Sequence, residues 1–228
     1  MRINTIKNTL LMILLLLGRQ HSYSQDSFVN LDFESTTLAP DGSPSTVATT
    51  VGLPGWTAVI GGVSQSTILY NDVTLGNASI AILGSGNSLS PVIEGQFTVV
   101  LQPGRDPLHP VSPNHVSASI SQVGLVPANA QSIQFKASTF SSFSVSLDGQ
   151  NLSMIPLGTG QNFTLYGADI SAFAGQFRTL AITALAAPNT TDAFDSIVFS
   201  PQPIPEPSVV GLFAFGALLL GQRLHKRQ

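Results

Sequence analysis

The chain has 228 residues, of which only 9% are charged, and it contains no cysteine. This length fits one domain with short targeting segments, and the missing thiols exclude a disulfide framework and thiol chemistry. Between residues 25 and 203, eleven acidic side chains face three basic ones, so this body carries a net charge of about −8, whereas the whole chain carries −3. An acidic body without a basic stripe argues against nucleic-acid binding.

The first 24 residues have the pattern of a secretory signal peptide. Arg2 and Lys7 precede an eight-residue apolar run at 10–17, which is too short to span a bilayer. Small residues at 22 and 24 predict cleavage before Gln25 by a signal peptidase, after passage through the secretion translocon. The alternative is an uncleaved anchor, because Arg19 and His21 make the cleavage region less regular.

Residues 25–200 predict an all-β body. Short runs of alternating apolar residues are separated by Gly, Pro, Asn and Ser, and no stretch has sustained helical periodicity. This pattern favours a single antiparallel β-sandwich of the jelly-roll type, with one helical turn near Asp169 or Ser171 and surface loops at 40–54 and 103–113. The predicted strands are Phe28–Glu34, Trp56–Ile60, Ala78–Leu83, Phe97–Leu101, Val116–Ile120, Ile133–Lys136, Phe143–Leu147, Phe163–Gly167, Leu180–Ala184 and Ser196–Ser200.

The C-terminal segment predicts a short membrane helix after a Pro-rich linker at 201–207. Residues 208–221 carry no ionisable side chain, and as a helix they would span about 21 Å, against a hydrocarbon core of about 30 Å. Bilayer thinning and snorkelling cations would make up the difference. Cations after an apolar run mark the cytoplasmic side, so we expect an inner-membrane anchor with the body outside the cytoplasm. The alternative, a buried core helix, is usually amphipathic. The helix residues are Val209, Leu212, Phe213, Phe215, Leu218, Leu219 and Leu220, and the cytoplasmic anchor residues are Arg223, Lys226 and Arg227.

A three-part pattern at the C-terminus resembles a known sorting signal. Pro205, Glu206 and Pro207, the short apolar helix and the basic end together resemble the PEP-CTERM signal of exported bacterial proteins. The resemblance covers residues 204–228. It implies recognition of the motif and helix by an exosortase, a membrane transpeptidase-like enzyme. The tail would then be removed or exchanged, and the body released to the cell surface or the extracellular polysaccharide matrix.

Several phrases of the body are similar to carbohydrate-binding-module-like sandwiches, which are galactose-binding-like in fold. They are NLDFE at 30–34, LPGW at 53–56, ISQ at 120–122 before VP at 126–127, and DSI at 195–197. The resemblance implies a structural Ca²⁺ near the joined chain ends, and calcium prefers oxygen ligands. Glu34 and Asp195 are the candidate ligands, with Asp32 expected on the same strand face as Glu34. The alternative is that these carboxylates cap turns or face solvent.

Three functions follow from these patterns. The first is an exported, non-enzymatic surface or matrix protein. The second is a carbohydrate-binding module that adheres to polysaccharide, with Trp56 as a stacking residue and Tyr70 and Tyr166 as further candidates; core packing is the alternative role of Trp56. The third is a hydrolase, which would need two carboxylates across a cleft. His109 and His115 lie in a Pro-rich loop without a metal-binding spacing.

Overall fold

The computed structural model describes residues 27–204, apart from 43–44, 90, 110–113, 140–141 and 189. This part of the chain is mostly β, with an eight-stranded sheet, a six-stranded sheet and a two-stranded ribbon. The strands are β1 (Thr46–Ala48), β2 (Thr57–Ile60), β3 (Val63–Gln65), β4 (Thr67–Tyr70), β5 (Ser79–Gly84), β6 (Phe97–Gln102), β7 (Gly104–Arg105), β8 (His115–Val116), β9 (Ala118–Leu125), β10 (Ser132–Thr139), β11 (Phe143–Leu147), β12 (Gln150–Asn151), β13 (Ile155–Thr159), β14 (Thr164–Asp169), β15 (Phe177–Ala184) and β16 (Asp192–Ser200). The described helical pieces are α1 (Thr49–Gly52) and a 3-10 turn (Ser171–Phe173).

The order of strands places the last one in the middle of the larger sheet. The eight-stranded sheet runs β1-β4-β5-β6-β16-β10-β14-β13, and the six-stranded sheet runs β12-β11-β15-β9-β2-β3. Neighbouring strands in these sheets are antiparallel except β4 and β5, which are parallel with Leu69 opposite Ala81. The expectation of a purely antiparallel fold is therefore wrong at this pair, because residues 71–78 return the chain to the same end of the sheet.

Both sheets contribute to one hydrophobic core. Ile120 and Leu180 come from the six-stranded sheet, and Phe135 and Phe194 come from the eight-stranded sheet; all four are fully buried. The ring of Phe135 lies 6.0 Å from that of Phe194. Alternate residues of β9 and β15 point into this core, as their sequence pattern predicts. The described fold is therefore sandwich-like.

Most predicted strands overlap a strand of the structure, but residues 28–34 form turns instead. Asn30 and Phe33 have positive φ angles of 51° and 59°, and the Phe33 N–H donates to the Asn30 carbonyl oxygen at 3.4 Å. Left-handed residues interrupt an extended strand, so Asp32 and Glu34 do not share a strand face. The predicted loop at 40–54 also contains β1 and α1, and the loop at 103–113 begins with β7. The helical turn expected near Asp169 is confirmed, and the Ser171 N–H donates to the Asp169 carboxylate at 2.8 Å.

Both predicted targeting segments, 1–24 and 208–228, lie outside the described residues, as does the motif at 205–207. Within the described ranges, no helix has the length and apolar character that a membrane crossing requires.

Candidate functional site

A cluster of carboxylates lies between the start of β6 and the middle of β16. Asp195 is 1% exposed, and its Oδ2 accepts hydrogen bonds from the Thr98 hydroxyl at 2.6 Å and the Glu94 N–H at 3.1 Å. Its Oδ1 accepts from the Ser196 N–H at 2.7 Å. Burial raises the pKa of Asp195 to about 6, and the negative charge of Glu34 adds to this rise. Asp195 therefore titrates close to neutral pH.

Glu94 belongs to the same cluster and pairs with a cation. The Lys136 Nζ lies 2.6 Å from the Glu94 Oε2, which also accepts a hydrogen bond from the Ser196 hydroxyl. The Lys136 hydrogen bond is the main reason that the pKa of Glu94 is lowered. Here the register of β10 against β16 shifts between Gln134 and Lys136, and Ser196 has a φ of 51°. A bulge of this kind re-aims side chains.

Glu34 holds the start of β6 from the opposite end of the sequence. Its Oε1 accepts the N–H groups of Gln96 at 2.8 Å and Phe97 at 2.9 Å. A Cβ at Gly95 would lie 2.3 Å from the same oxygen, and Gly95 has a φ of 64°, so this approach requires glycine. Glu34 and Asp195 thus bind the same segment, residues 94–98. They join the first described turns to the last strand.

The fit of this cluster to calcium is mixed. Its donors are oxygens, which calcium prefers. However, the Glu34 Oε1 and both Asp195 oxygens already accept hydrogen bonds from protein groups. The described residues also hold no group of three or more His, Cys, Asp or Glu side chains that could bind a metal. The hydrogen bonds match the alternative role of turn capping, and calcium binding by Glu34 and Asp195 stays a prediction.

Trp56 packs inside the domain. It is 5% exposed, its Nε1 donates to the Asn30 carbonyl oxygen at 2.9 Å, and its ring centre lies 5.7 Å from that of Phe33. A ring that stacks on a sugar needs an open face, so this burial favours the packing alternative. Tyr70 is likewise buried at 2% exposure.

Tyr166 is the candidate aromatic that is only partly buried and lines a cleft. It is half-buried on β14 and lines a cleft of about 560 Å³ with Phe143 and Met154. Its ring stacks on Phe135 at 5.8 Å and meets the edge of Phe143 at 5.1 Å. These contacts fix the orientation of the ring. The polar residues of this Tyr166 cleft are Thr139, Ser142, Ser144 and Asn151.

A second cleft, of about 480 Å³, adjoins the first. Both clefts are lined by Asn151 and Leu152, which lie where the chain passes from β12, at the edge of one sheet, to β13, at the edge of the other. We call this second one the Ile204 cleft, because Ile204, close to the end of β16, forms part of its wall. Its polar residues are Gln131, Gln150, Asn151, Ser153, Asp169 and Ser171.

Sequence reasoning gave Tyr166 as one of three stacking candidates but missed the clefts. The amide and hydroxyl residues at 150–153 are a visible polar run, yet nothing in the sequence pairs them with Gln131, Asp169 or Ile204. Among the described residues, Asp169 is the one acidic side chain that lines these two clefts, so those residues do not supply the paired carboxylates of a hydrolase. The loop His109 lies beside Asp106, with its Nδ1 2.7 Å from the carboxylate.

No protein-family model matches the sequence, and no curated protein matches it either. The resemblances of the tail and body therefore contribute expectations rather than an assigned family.

Proposed function

We propose that this is an exported, non-enzymatic protein of the cell surface or extracellular matrix, sorted by an exosortase. One observation carries the proposal: Pro205-Glu206-Pro207, an uncharged apolar run at 208–221 and a basic end follow the body directly in the sequence. Within the described residues, the body forms a hydrophobic core from Phe28 to Ile197. A packed domain followed by such a segment is the arrangement that a sorted cargo protein needs.

Export and sorting of the protein follow a defined route. The translocon and signal peptidase act on residues 1–24, and residues 208–228 then hold the body outside the inner membrane until the exosortase acts. We also infer a jelly-roll topology for the body. The order of the strands supports this topology. Along the chain, the strands largely alternate between the two sheets, with β6-β16-β10-β14 in one sheet and β9-β15-β11-β12 in the other.

Intact-mass measurement in the native host tests the sorting proposal. The full chain is compared with a Pro205→Ala/Pro207→Ala double variant and with a Pro201→Ala/Pro203→Ala control, which changes the same linker outside the motif. We expect the wild type and the control to lose both terminal segments and to leave the membrane fraction. The motif variant should retain its tail and stay in the membrane. Equal processing of the motif variant, or an intact tail in the mature wild type, would refute the proposal.

Carbohydrate binding is the second candidate function. It is favoured by the Tyr166 cleft, in which an oriented aromatic ring lies among hydroxyl and amide side chains. Tyrosine offers an apolar face and a polar tip, which suits a ligand with both kinds of surface. No observation of the described residues favours the hydrolase.

A further inference from the structure

We propose that the Tyr166 cleft and the Ile204 cleft are adjoining subsites for one extended, uncharged polysaccharide chain. This inference rests on carbohydrate binding, the second candidate function, and specifies the site and the class of ligand.

The position of the clefts supports a single extended ligand. Asn151 and Leu152 line both, so a chain that leaves one cleft across this segment enters the other. Volumes of about 560 Å³ and about 480 Å³ each lie within the range of small-molecule sites, about 300–1,000 Å³. Two sites of this size side by side accommodate more than one sugar unit. Affinity should therefore rise with the length of the oligosaccharide.

The chemistry of the lining indicates a ligand rich in hydroxyl groups. Amide and hydroxyl side chains both donate and accept hydrogen bonds, and they occur in each cleft. Tyr166 and Phe143 add aromatic surface to the Tyr166 cleft, and Phe173 adds it to the Ile204 cleft. The polar side chains that carry the argument are Thr139, Ser142, Asn151, Ser153 and Ser171.

The charge of the lining selects against anionic ligands. Among the described residues, no lysine or arginine lines either cleft, and Asp169 is the only ionisable side chain except for the tyrosine. A hydrogen bond from the Ser171 N–H lowers the pKa of Asp169, so this carboxylate is negative at neutral pH. An acidic or sulfated polysaccharide would meet repulsion without a compensating cation. The sites fit a neutral glycan.

A peptide strand is the main competing ligand, since β12 and β13 are edge strands that can pair with another chain. Pro156 lies within β13 and lacks an N–H group, and the register against β14 shifts between Pro156 and Gly158. Proline and a bulge both make an edge a poor template for strand pairing. The edge at β13 therefore favours a glycan over an added strand.

Calorimetric titration of the full chain in detergent tests the inference. The probes are neutral hexasaccharides of β-1,4-glucose, β-1,3-glucose, β-1,4-xylose and α-1,4-glucose, the matching disaccharides, and hexagalacturonate as the anionic counterpart. We expect at least one neutral hexasaccharide to bind at least tenfold more tightly than its disaccharide, with hexagalacturonate showing no binding. Asn151→Ala, which alters both clefts, should weaken binding by about three- to tenfold, the effect of one lost hydrogen bond.

Aromatic variants and a control complete the design. Tyr166→Phe should keep binding and Tyr166→Leu should weaken it, because the face of the ring and not the hydroxyl stacks on sugar. Phe177→Ala changes an exposed aromatic, 46% exposed, outside both clefts and should have no effect. Thermal melting verifies that each variant is folded. Four results would each overturn the inference. They are no binding of any neutral hexasaccharide, wild-type affinity in folded Asn151→Ala and Tyr166→Leu, tighter binding of hexagalacturonate than of the neutral hexasaccharides, and capture of an extended peptide at β13. Correct tail processing in a chain that binds no glycan would leave the sorting proposal standing.

Discussion

Replacing Asp195 with asparagine should remove most of the change in folding stability between pH 7 and pH 5. Asp195 is 1% exposed, and burial raises its pKa from 3.8 to about 6. The folded state therefore binds more protons than the unfolded state between these two values. The free energy of unfolding must rise as the pH falls through 6, and this stabilisation is lost again as the pH rises.

The size of the effect follows from the shift in pKa. A shift of about two pKa units corresponds to about 3 kcal/mol of destabilisation when the carboxylate is fully ionised. Integration from pH 7 to pH 5 gives a gain of about 1.3 kcal/mol from this one group. The pKa values of Glu94, Asp106, Asp148 and Asp169 are lowered instead. Their contributions are lost as the pH falls through the ordinary values of 4.5 for Glu94 and 3.8 for the aspartates, which lie below this interval.

Urea unfolding at pH 7 and pH 5, with EGTA present, measures the effect. The free energy of unfolding of the Asp195→Asn protein should rise by almost nothing between pH 7 and pH 5. Its absolute stability will also differ from that of the wild type, because the new amide group disturbs the hydrogen bonds of Thr98 and Ser196. Asp169→Asn is the matched control and should keep the gain of the wild type. A full wild-type gain in Asp195→Asn would refute the assignment of this titration to Asp195.

The remaining predictions concern packing and calcium. Phe135→Ala should lower the free energy of unfolding by about 3–5 kcal/mol, because it empties a fully buried ring site. Phe177→Ala at the surface should change it by less than about 0.5 kcal/mol. Urea unfolding compares the two variants, and equal effects would contradict the burial of Phe135 in the core. Gly84→Ala places a Cβ 2.0 Å from a backbone carbonyl oxygen and should destabilise by about 1–3 kcal/mol or more, while Gly158→Ala meets nothing within 4 Å and should be tolerated in the same assay. Calcium binding by Glu34 and Asp195 requires that millimolar calcium raise the Tm of the wild type above its value in EGTA and that Glu34→Gln reduce the rise. An unchanged wild-type Tm would exclude calcium here and leave turn capping as the role of both carboxylates.

The strands could be predicted because burial leaves a period of two in the sequence. Ala118 and Ile120 alternate with serines, and both are fully buried in β9. The Asp148-Gly149 pair predicts a hairpin turn, and both residues have positive φ, 47° and 77°. Local pattern and local backbone agree at these positions.

The strand predicted at 28–34 was wrong because an alternating pattern does not fix the backbone conformation. Val29, Leu31 and Phe33 alternate in the sequence, but Val29 is exposed whereas Phe33 is buried. The left-handed angles at Asn30 and Phe33 bend the chain into turns. The two amide-lined clefts could not be predicted, since they join side chains from 131 to 204 through the sheet topology. The carboxylate cluster was predicted in part: the resemblance pointed to Glu34 and Asp195, but the partners Glu94 and Lys136 depend on the pairing of β10 with β16.

The central position of β16 has a consequence for the time at which the domain can fold. β16 hydrogen-bonds to β10 on one side and to β6 on the other, so neither half of the eight-stranded sheet is joined until residues 192–200 have been synthesised. A nascent chain emerging from a ribosome or a narrow pore therefore cannot complete the eight-stranded sheet until nearly its whole body is free. A chain truncated before residue 192 would lack this bridging strand and would expose the edges of β6 and β10, and open sheet edges are prone to aggregation.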